Sequence, residues 1–321
     1  MGGFYAVPAF ADSISKAQAQ VPVGAKVPAG EIQAVSFVVA KGEGMAGIAK
    51  RLEAQGLIKS AFGFKIYALV TGTASRFKPG AYLIPVTARG KDIAQLFVAG
   101  TPAVKVIVPE GATVVDIDRI LAKAGVTKAG GLIEYNEKQK QTLEGFLFPD
   151  TYTFSGGMSA RDVVRVMQAN FDKKTGPLTA HMKDSERYAV LILASLIEKE
   201  ARYAKDRMAV ASVIHERLIL GMSLQLDAAN VYVKCKGAYL SCPSANRMLT
   251  KVDLALDGPY NTYTRAGLPV TPIANPGLDA FRAALTPKGT ANLYYISNPT
   301  TGKLIFAETL EEHNENRQKY H

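Results

Sequence analysis

Hydrophobic positions in the first half of the chain fall into short alternating stretches, each followed by helical spacing. Phe37-Val38-Val39 leads through Gly42 to Ile48 and Leu52 and stops at Gly56. Val106-Ile107-Val108 leads through Gly111 to Ile117 and Leu121 and stops at Gly125. Equivalent positions lie 69 residues apart, as 37 and 106 do. Alternation sets one strand face against a neighbouring layer, and apolar residues four apart give a helix its buried stripe. Each segment then returns through a proline-punctuated stretch, Phe77-Lys78-Pro79-Gly80-Ala81-Tyr82 and Phe148-Pro149-Asp150-Thr151-Tyr152. Helical signals follow both, over Ala88 to Phe97 and Ala160 to Phe171. The pattern predicts a small α+β unit of strand, turn, helix and return strand, present twice.

The second half is strongly helical. Ala189 to Ala201 reads as one helix, and Asp206 to Leu220 as another that ends at Gly221. The first carries two carboxylates near its end. Glu200 shares a helix face with Leu193, Leu196 and Ile197, whereas Glu198 stacks over Leu191, Ala194 and Ser195. Large apolar neighbours strip water from a carboxylate and raise its pKa, as a general acid near neutral pH requires. On that ground Glu200 is the candidate acid and Glu198 the fallback; the alternative is a polar helix end facing water. Beyond these helices, Leu224-Gln-Leu-Asp227, Pro259 to Tyr263, Gly267-Leu-Pro269 and Pro272 to Gly277 read as loops. Their amides, phenols and carboxylate suit neutral hydrogen bonding to sugars. Gln225, Asp227, Asn261, Tyr263 and Asn275, together with Glu144 in an earlier loop, are the candidate substrate-binding residues. Asp227 is equally suited to capping a helix, and Tyr294 and Tyr295 alternate with apolar neighbours as core-strand residues do.

Charge and cysteine content narrow the field. The 321 residues carry a net charge of +10, which favours polyanionic partners. The basic residues are scattered, and no nucleic-acid-binding spacing occurs, so nucleic acid is not an expected partner. No His/Cys spacing suggests a metal, and no organic cofactor is implied. Cys235 and Cys242 fit either a disulfide or two free thiols. An apolar run including Phe4, Tyr5, Val7 and Phe10 is well under the roughly 20 residues that cross a bilayer. It reads as the stub of an anchor or a tail, with a linker to residue 31.

Seven segments in series then resemble a known family. They are Leu143 to Tyr152, Ala194 to Glu200, Leu224 to Asp227, Tyr260 to Tyr263, Gly267 to Pro269, Pro272 to Gly277 and Glu311 to Asn314. Together they resemble the YceG-like endolytic murein transglycosylases. The resemblance implies a LysM-like module over 32–103 and a mixed α/β catalytic domain over 104–321, the latter including the second repeat at about 104–172. It also implies a single-pass anchor in the inner membrane, a catalytic domain on the periplasmic side, and wall-synthesis enzymes such as penicillin-binding proteins as partners. The implied substrate is a nascent peptidoglycan glycan strand, cut between N-acetylmuramic acid and N-acetylglucosamine. The catalytic glutamate falls in the motif matched by Ile197-Glu-Lys-Glu200. Leu226, Ala228 and Val270-Thr271 depart from the family's usual residues, and Lys234 to Asn246 is unusual in composition.

Such chemistry needs one carboxyl group rather than the usual glycosidase pair. The acid protonates the glycosidic oxygen, and the resulting carboxylate takes a proton from the muramic C6 hydroxyl as it closes on C1. The nucleophile is already part of the substrate, so little entropy is lost in bringing it in. A muramidase using Glu200 and Asp227, and a non-catalytic wall-binding scaffold, are the competing readings.

Overall fold

The computed structural model describes residues 34–39, 42–101, 103–201 and 203–320; the expected tail and linker over 1–31 lie outside them. In the first unit, β1 (Ala34–Val39) is followed by α1 (Met45–Ala54), α2 (Ala61–Val70), β2 (Gly80–Pro85) and α3 (Gly90–Ala99). β1 and β2 pair antiparallel with Phe37 opposite Tyr82. Ile48, Leu52, Phe64 and Phe97 close the core over that pair, and the Phe97 ring lies 5.7 Å from Phe37 and 4.7 Å from Tyr82.

The second unit repeats the order. β3 (Ala103–Ile107) leads to α4 (Val114–Lys123), α5 (Gly131–Glu137), β4 (Thr151–Ser155) and α6 (Ala160–Thr179). β3 and β4 pair antiparallel with Val106 opposite Tyr152. A shared detail underlines the correspondence. Tyr82 donates its hydroxyl to the Lys78 carbonyl and Tyr152 to the Phe148 carbonyl, each at 2.5 Å and each four residues back. A buried phenol needs such a partner, and the return strand supplies it in the same place twice. Each unit also holds a second helix that the hydrophobic pattern did not reveal. α2 is apolar on nearly every side, so no stripe stands out, and α5 spans only seven residues.

The remainder is mainly helical, giving the α+β class expected. α7 (Asp184–Glu200), α8 (Ala204–Ile219), α9 (Asp227–Lys234) and α10 (Leu278–Leu285) surround a core that includes Leu191, Leu196, Val210, Ile214 and Phe281. A hairpin of β5 (Tyr294–Ser297) and β6 (Leu304–Ala307) precedes α11 (Leu310–Tyr320). Among the described residues no helix is long and apolar enough to cross a membrane.

A buried polar knot ties the second unit to this helical part. Asn275 exchanges backbone hydrogen bonds with Gly111 and Ala112, each at 2.9 Å. Its side chain donates to the Ala112 carbonyl at 2.9 Å and to Glu144 at 3.0 Å, and accepts from the Leu147 amide at 2.8 Å. Glu144 also accepts from the Val114 amide and the Tyr232 hydroxyl, both at 3.1 Å. The chain approaches closely here: a Cβ on Gly145, whose φ is +89°, would lie 2.8 Å from Pro272.

Burial pushes the Glu144 carboxyl up to about 8, against the pull of the Val114 amide and the Tyr232 hydroxyl. An unfolded glutamate ionises near 4.5, so between about 4.5 and 8 the folded chain keeps a proton that the unfolded chain has released. Stability attributable to this group is therefore full at low pH and falls as pH rises through that window. Glu144→Gln is expected to flatten the decline. Melting curves of both proteins across the window check this, and identical slopes would refute it.

Candidate active site

The last turns of α7 run through the core, with Leu191 to Ile197 buried on all sides. Both carboxylates of the motif are thereby drawn inward. Helix periodicity separates their faces, but both faces are buried, so their partners make the difference. Glu198 meets the Arg207 guanidinium at 2.7 Å and accepts the Gly277 amide at 3.0 Å. Arg207 is shared with Glu110 at 3.0 Å. Glu198 is thus a buried structural ion pair, its side chain 6% exposed.

Glu200 has no cationic partner among the described residues. Its Oε2 accepts the Tyr295 hydroxyl at 3.0 Å, and the Ala228 amide approaches Oε1 at 3.4 Å. Burial raises its pKa to about 6; the Tyr295 and Ala228 donors pull it down and the Asp227 charge pushes it up. Helix ends act in opposition here. The carboxyl sits at the negative end of α7, which disfavours its charge, and at the positive end of α9, which favours it. The result is a carboxyl that exchanges its proton near neutrality, the property a general acid/base needs.

Exposed polar groups border it. Gln225 and Asp227 are exposed immediately before and at the start of α9. Tyr263 donates to Asp227 Oδ1 at 2.6 Å. The Gln225 backbone has φ +52°, an uncommon conformation for a residue with a side chain, and its amide is tied to the Thr262 carbonyl at 3.0 Å. Arg217, buried in α8, holds this arrangement from below. It donates to the Leu224 carbonyl at 2.8 Å and to the Leu293 carbonyl at 2.6 Å. One guanidinium therefore fixes both the loop that presents Asp227 and the strand entry that presents Tyr295.

Cys235 and Cys242 form a disulfide, closing a loop at the end of α9. The loop docks on α4, where the Leu240 amide meets Asp116 at 3.0 Å and Thr113 donates to the Gly237 carbonyl. Its Tyr239 lies over Lys199, with Nζ 3.7 Å from the ring centre. Burial, followed by the Glu200 charge, raises the Tyr239 hydroxyl to about 12.

The structure brings together Glu200, Gln225, Asp227 and Tyr263 from the residues expected by sequence. It places three others differently. Glu144 and Asn275 are buried in the knot with their polar atoms engaged. Asn261 is buried too, donating to the Leu254 and Leu256 carbonyls and accepting from the Tyr263 amide. Side chains so occupied shape loops. Sequence reasoning missed Tyr295, which it assigned to a core strand, and Arg217, which looked like one more helix residue. Tyr295 reaches Glu200 across 95 residues and Arg217 reaches Leu293 across 76, and no local signal marks either contact. Among the described residues no cluster could hold a metal ion.

Comparison with known proteins places this architecture. The YceG-like family model matches residues 37–319. An endolytic murein transglycosylase of Bacillus subtilis is 32% identical over 317 residues, spanning 89% of this chain and 84% of that protein. One from Streptococcus pneumoniae is 33% identical over 177 residues, 54% of this chain and 31% of its own length. A crystal structure of a YceG-like protein from Listeria monocytogenes superposes with a TM-score of 0.57 at 29% identity, covering 89% of this chain and all of that one. The chain belongs to the YceG-like family.

The two glutamates should respond differently to substitution. Glu198→Ala leaves Arg207 short of a buried partner and is expected to cost about 3 kcal/mol, whereas Glu200→Gln should cost less than about 1 kcal/mol. Urea denaturation of the two variants measures both. Tyr295→Phe removes a donor that favours the carboxylate, so the Glu200 pKa should move above 6 in an NMR titration.

Proposed function

We propose that the chain is an endolytic lytic transglycosylase. It cleaves the β-1,4 bond between N-acetylmuramic acid and N-acetylglucosamine in nascent peptidoglycan and leaves 1,6-anhydro-muramic ends. The observation that carries this reading is Glu200: a half-buried carboxyl with no cationic partner among the described residues, bounded by exposed polar loops, in a chain whose curated relatives are named endolytic murein transglycosylases.

In this reading the protonated Glu200 donates to the glycosidic oxygen as the C1–O bond breaks. The carboxylate left behind accepts the proton of the C6 hydroxyl as its oxygen bonds to C1, and the enzyme returns to its starting state. Tyr295 orients the carboxyl and stabilises its charged phase. Gln225, Asp227 and Tyr263 meet sugar hydroxyls at the open side, and Glu198 serves the framework. The strand–helix–helix–strand order of residues 34–85 supports the LysM-like reading of the first unit as a glycan-binding module, followed by the catalytic domain from about residue 104. Attachment to the inner membrane through the segment ahead of residue 34, with the site on the outer side and synthases such as penicillin-binding proteins as partners, belongs to the same proposal.

Glu200→Gln should lower kcat about 10²- to 10⁴-fold on uncrosslinked glycan strands. Mass spectrometry of the products tests the bond chemistry. Anhydro-muramic ends support it, reducing ends would move the answer to a hydrolase using Glu200 and Asp227, and no products would favour a scaffold. The acid must start protonated, so kcat/KM should fall as pH rises past about 6. In Tyr295→Phe that limb should shift to higher pH.

A further inference from the structure

The first unit carries a surface that neither its core nor the candidate active site uses. α2 buries Phe64 and Ala68 against the unit. On its other side Phe62, Ile66, Leu69 and Val70 are 70%, 46%, 64% and 81% exposed. Positions i, i+4, i+7 and i+8 lie along one helix face, so the four side chains form a continuous apolar stripe. A helix that is apolar on both sides is suited to burial on both sides, and contiguous exposed apolar residues mark an interaction surface.

The charge around this stripe indicates what covers it. From Ala34 to Ala103 nine Lys and Arg face three Asp and Glu, so more than half of the chain's net +10 lies in under a quarter of its length. The three acids are engaged by groups of the same unit. Glu43 pairs with Arg51 at 2.7 Å, Glu53 accepts the Ala61 amide at 3.0 Å, and Asp92 accepts the Arg89 amide at 3.1 Å. Lys59 stands at the start of the stripe and Lys65 on its flank. Basic groups framing a convex apolar stripe match an anionic lipid surface, where apolar side chains enter the interface and lysines reach the headgroup phosphates. A stable protein partner would usually cover about 800 Å², far more than four side chains on one short helix present.

We propose that α2 is a membrane-contact helix, seating its Phe62–Ile66–Leu69–Val70 stripe in the headgroup region of an anionic bilayer. This contact is separate from any attachment through residues 1–33 and does not depend on the enzymatic reading. It would hold the first unit flat against the lipid by a second point.

The test is flotation of the full chain with vesicles of phosphatidylcholine alone and of phosphatidylcholine mixed with phosphatidylglycerol. The wild type should partition onto the mixed vesicles, and Phe62→Ser/Leu69→Ser should reduce that partition about tenfold. Both positions are exposed, so the melting temperature should not change. Lys59→Glu/Lys65→Glu probes the same face through its charge and should reduce binding to the mixed vesicles. Equal binding by the wild type and both double variants would overturn the proposal, as would failure of the wild type to bind. Light scattering that shows a wild-type dimer and a Phe62→Ser/Leu69→Ser monomer, without a vesicle effect, would also overturn it and assign the face to a second copy of the chain.

Discussion

A carboxylate inside an apolar helix end must either find a partner for its charge or hold its proton, and the site is arranged around that requirement. α7 carries two such groups within one turn. Glu198 takes Arg207, and with it come Glu110 from the turn after β3 and the Gly277 amide at the start of α10. A Cβ on Gly277 would lie 1.9 Å from the Glu110 carboxylate, so a side chain there would push Glu110 aside from its place at Arg207. With the cation committed to Glu198, Glu200 is left with a phenol and a distant amide. The contrast between neighbours produces a fixed strut and a group able to exchange its proton.

The parts of the fold legible in sequence are those written in local periodicity. The two strand starts, their glycine-stopped helices and the return strands gave the doubled unit, and apolar runs gave α7 and α8. The helix of highest apolar content, α2, was hidden because a period cannot be read where every face is hydrophobic. Residue type alone could not separate loop residues that bind from loop residues that brace. Asn261 and Asn275 have the chemistry to meet a sugar, but burial commits their amides to backbone carbonyls and amides nearby. Glu200 and Glu198 were both visible as acids among apolar neighbours. Choosing between them in space requires Arg207 and Tyr295, whose positions depend on tertiary packing.

The two repeated units have diverged in their attachments. The first keeps its own core and shows basic and apolar groups outward. The second has become part of the site's foundation, lending the Ala112 carbonyl and Asp116 to loops from later in the chain, while its Val114 amide holds its own Glu144 in place. The same arrangement thus serves once as a free-standing piece and once as a buttress. The disulfide-closed loop carrying Tyr239 rests on that buttress and on Lys199.

The long reach of these contacts has a consequence for the order of assembly. Both small strand pairs and their helices are built from neighbouring stretches, and such local structure forms early. Asn275 closes on Ala112 across 163 residues, and Tyr295 reaches Glu200 across 95. A chain emerging from the ribosome would complete its first unit long before either contact exists. Until the terminal hairpin docks, Glu200 lacks the Tyr295 hydroxyl that orients it. The complete site therefore exists only when the far end of the chain is in place.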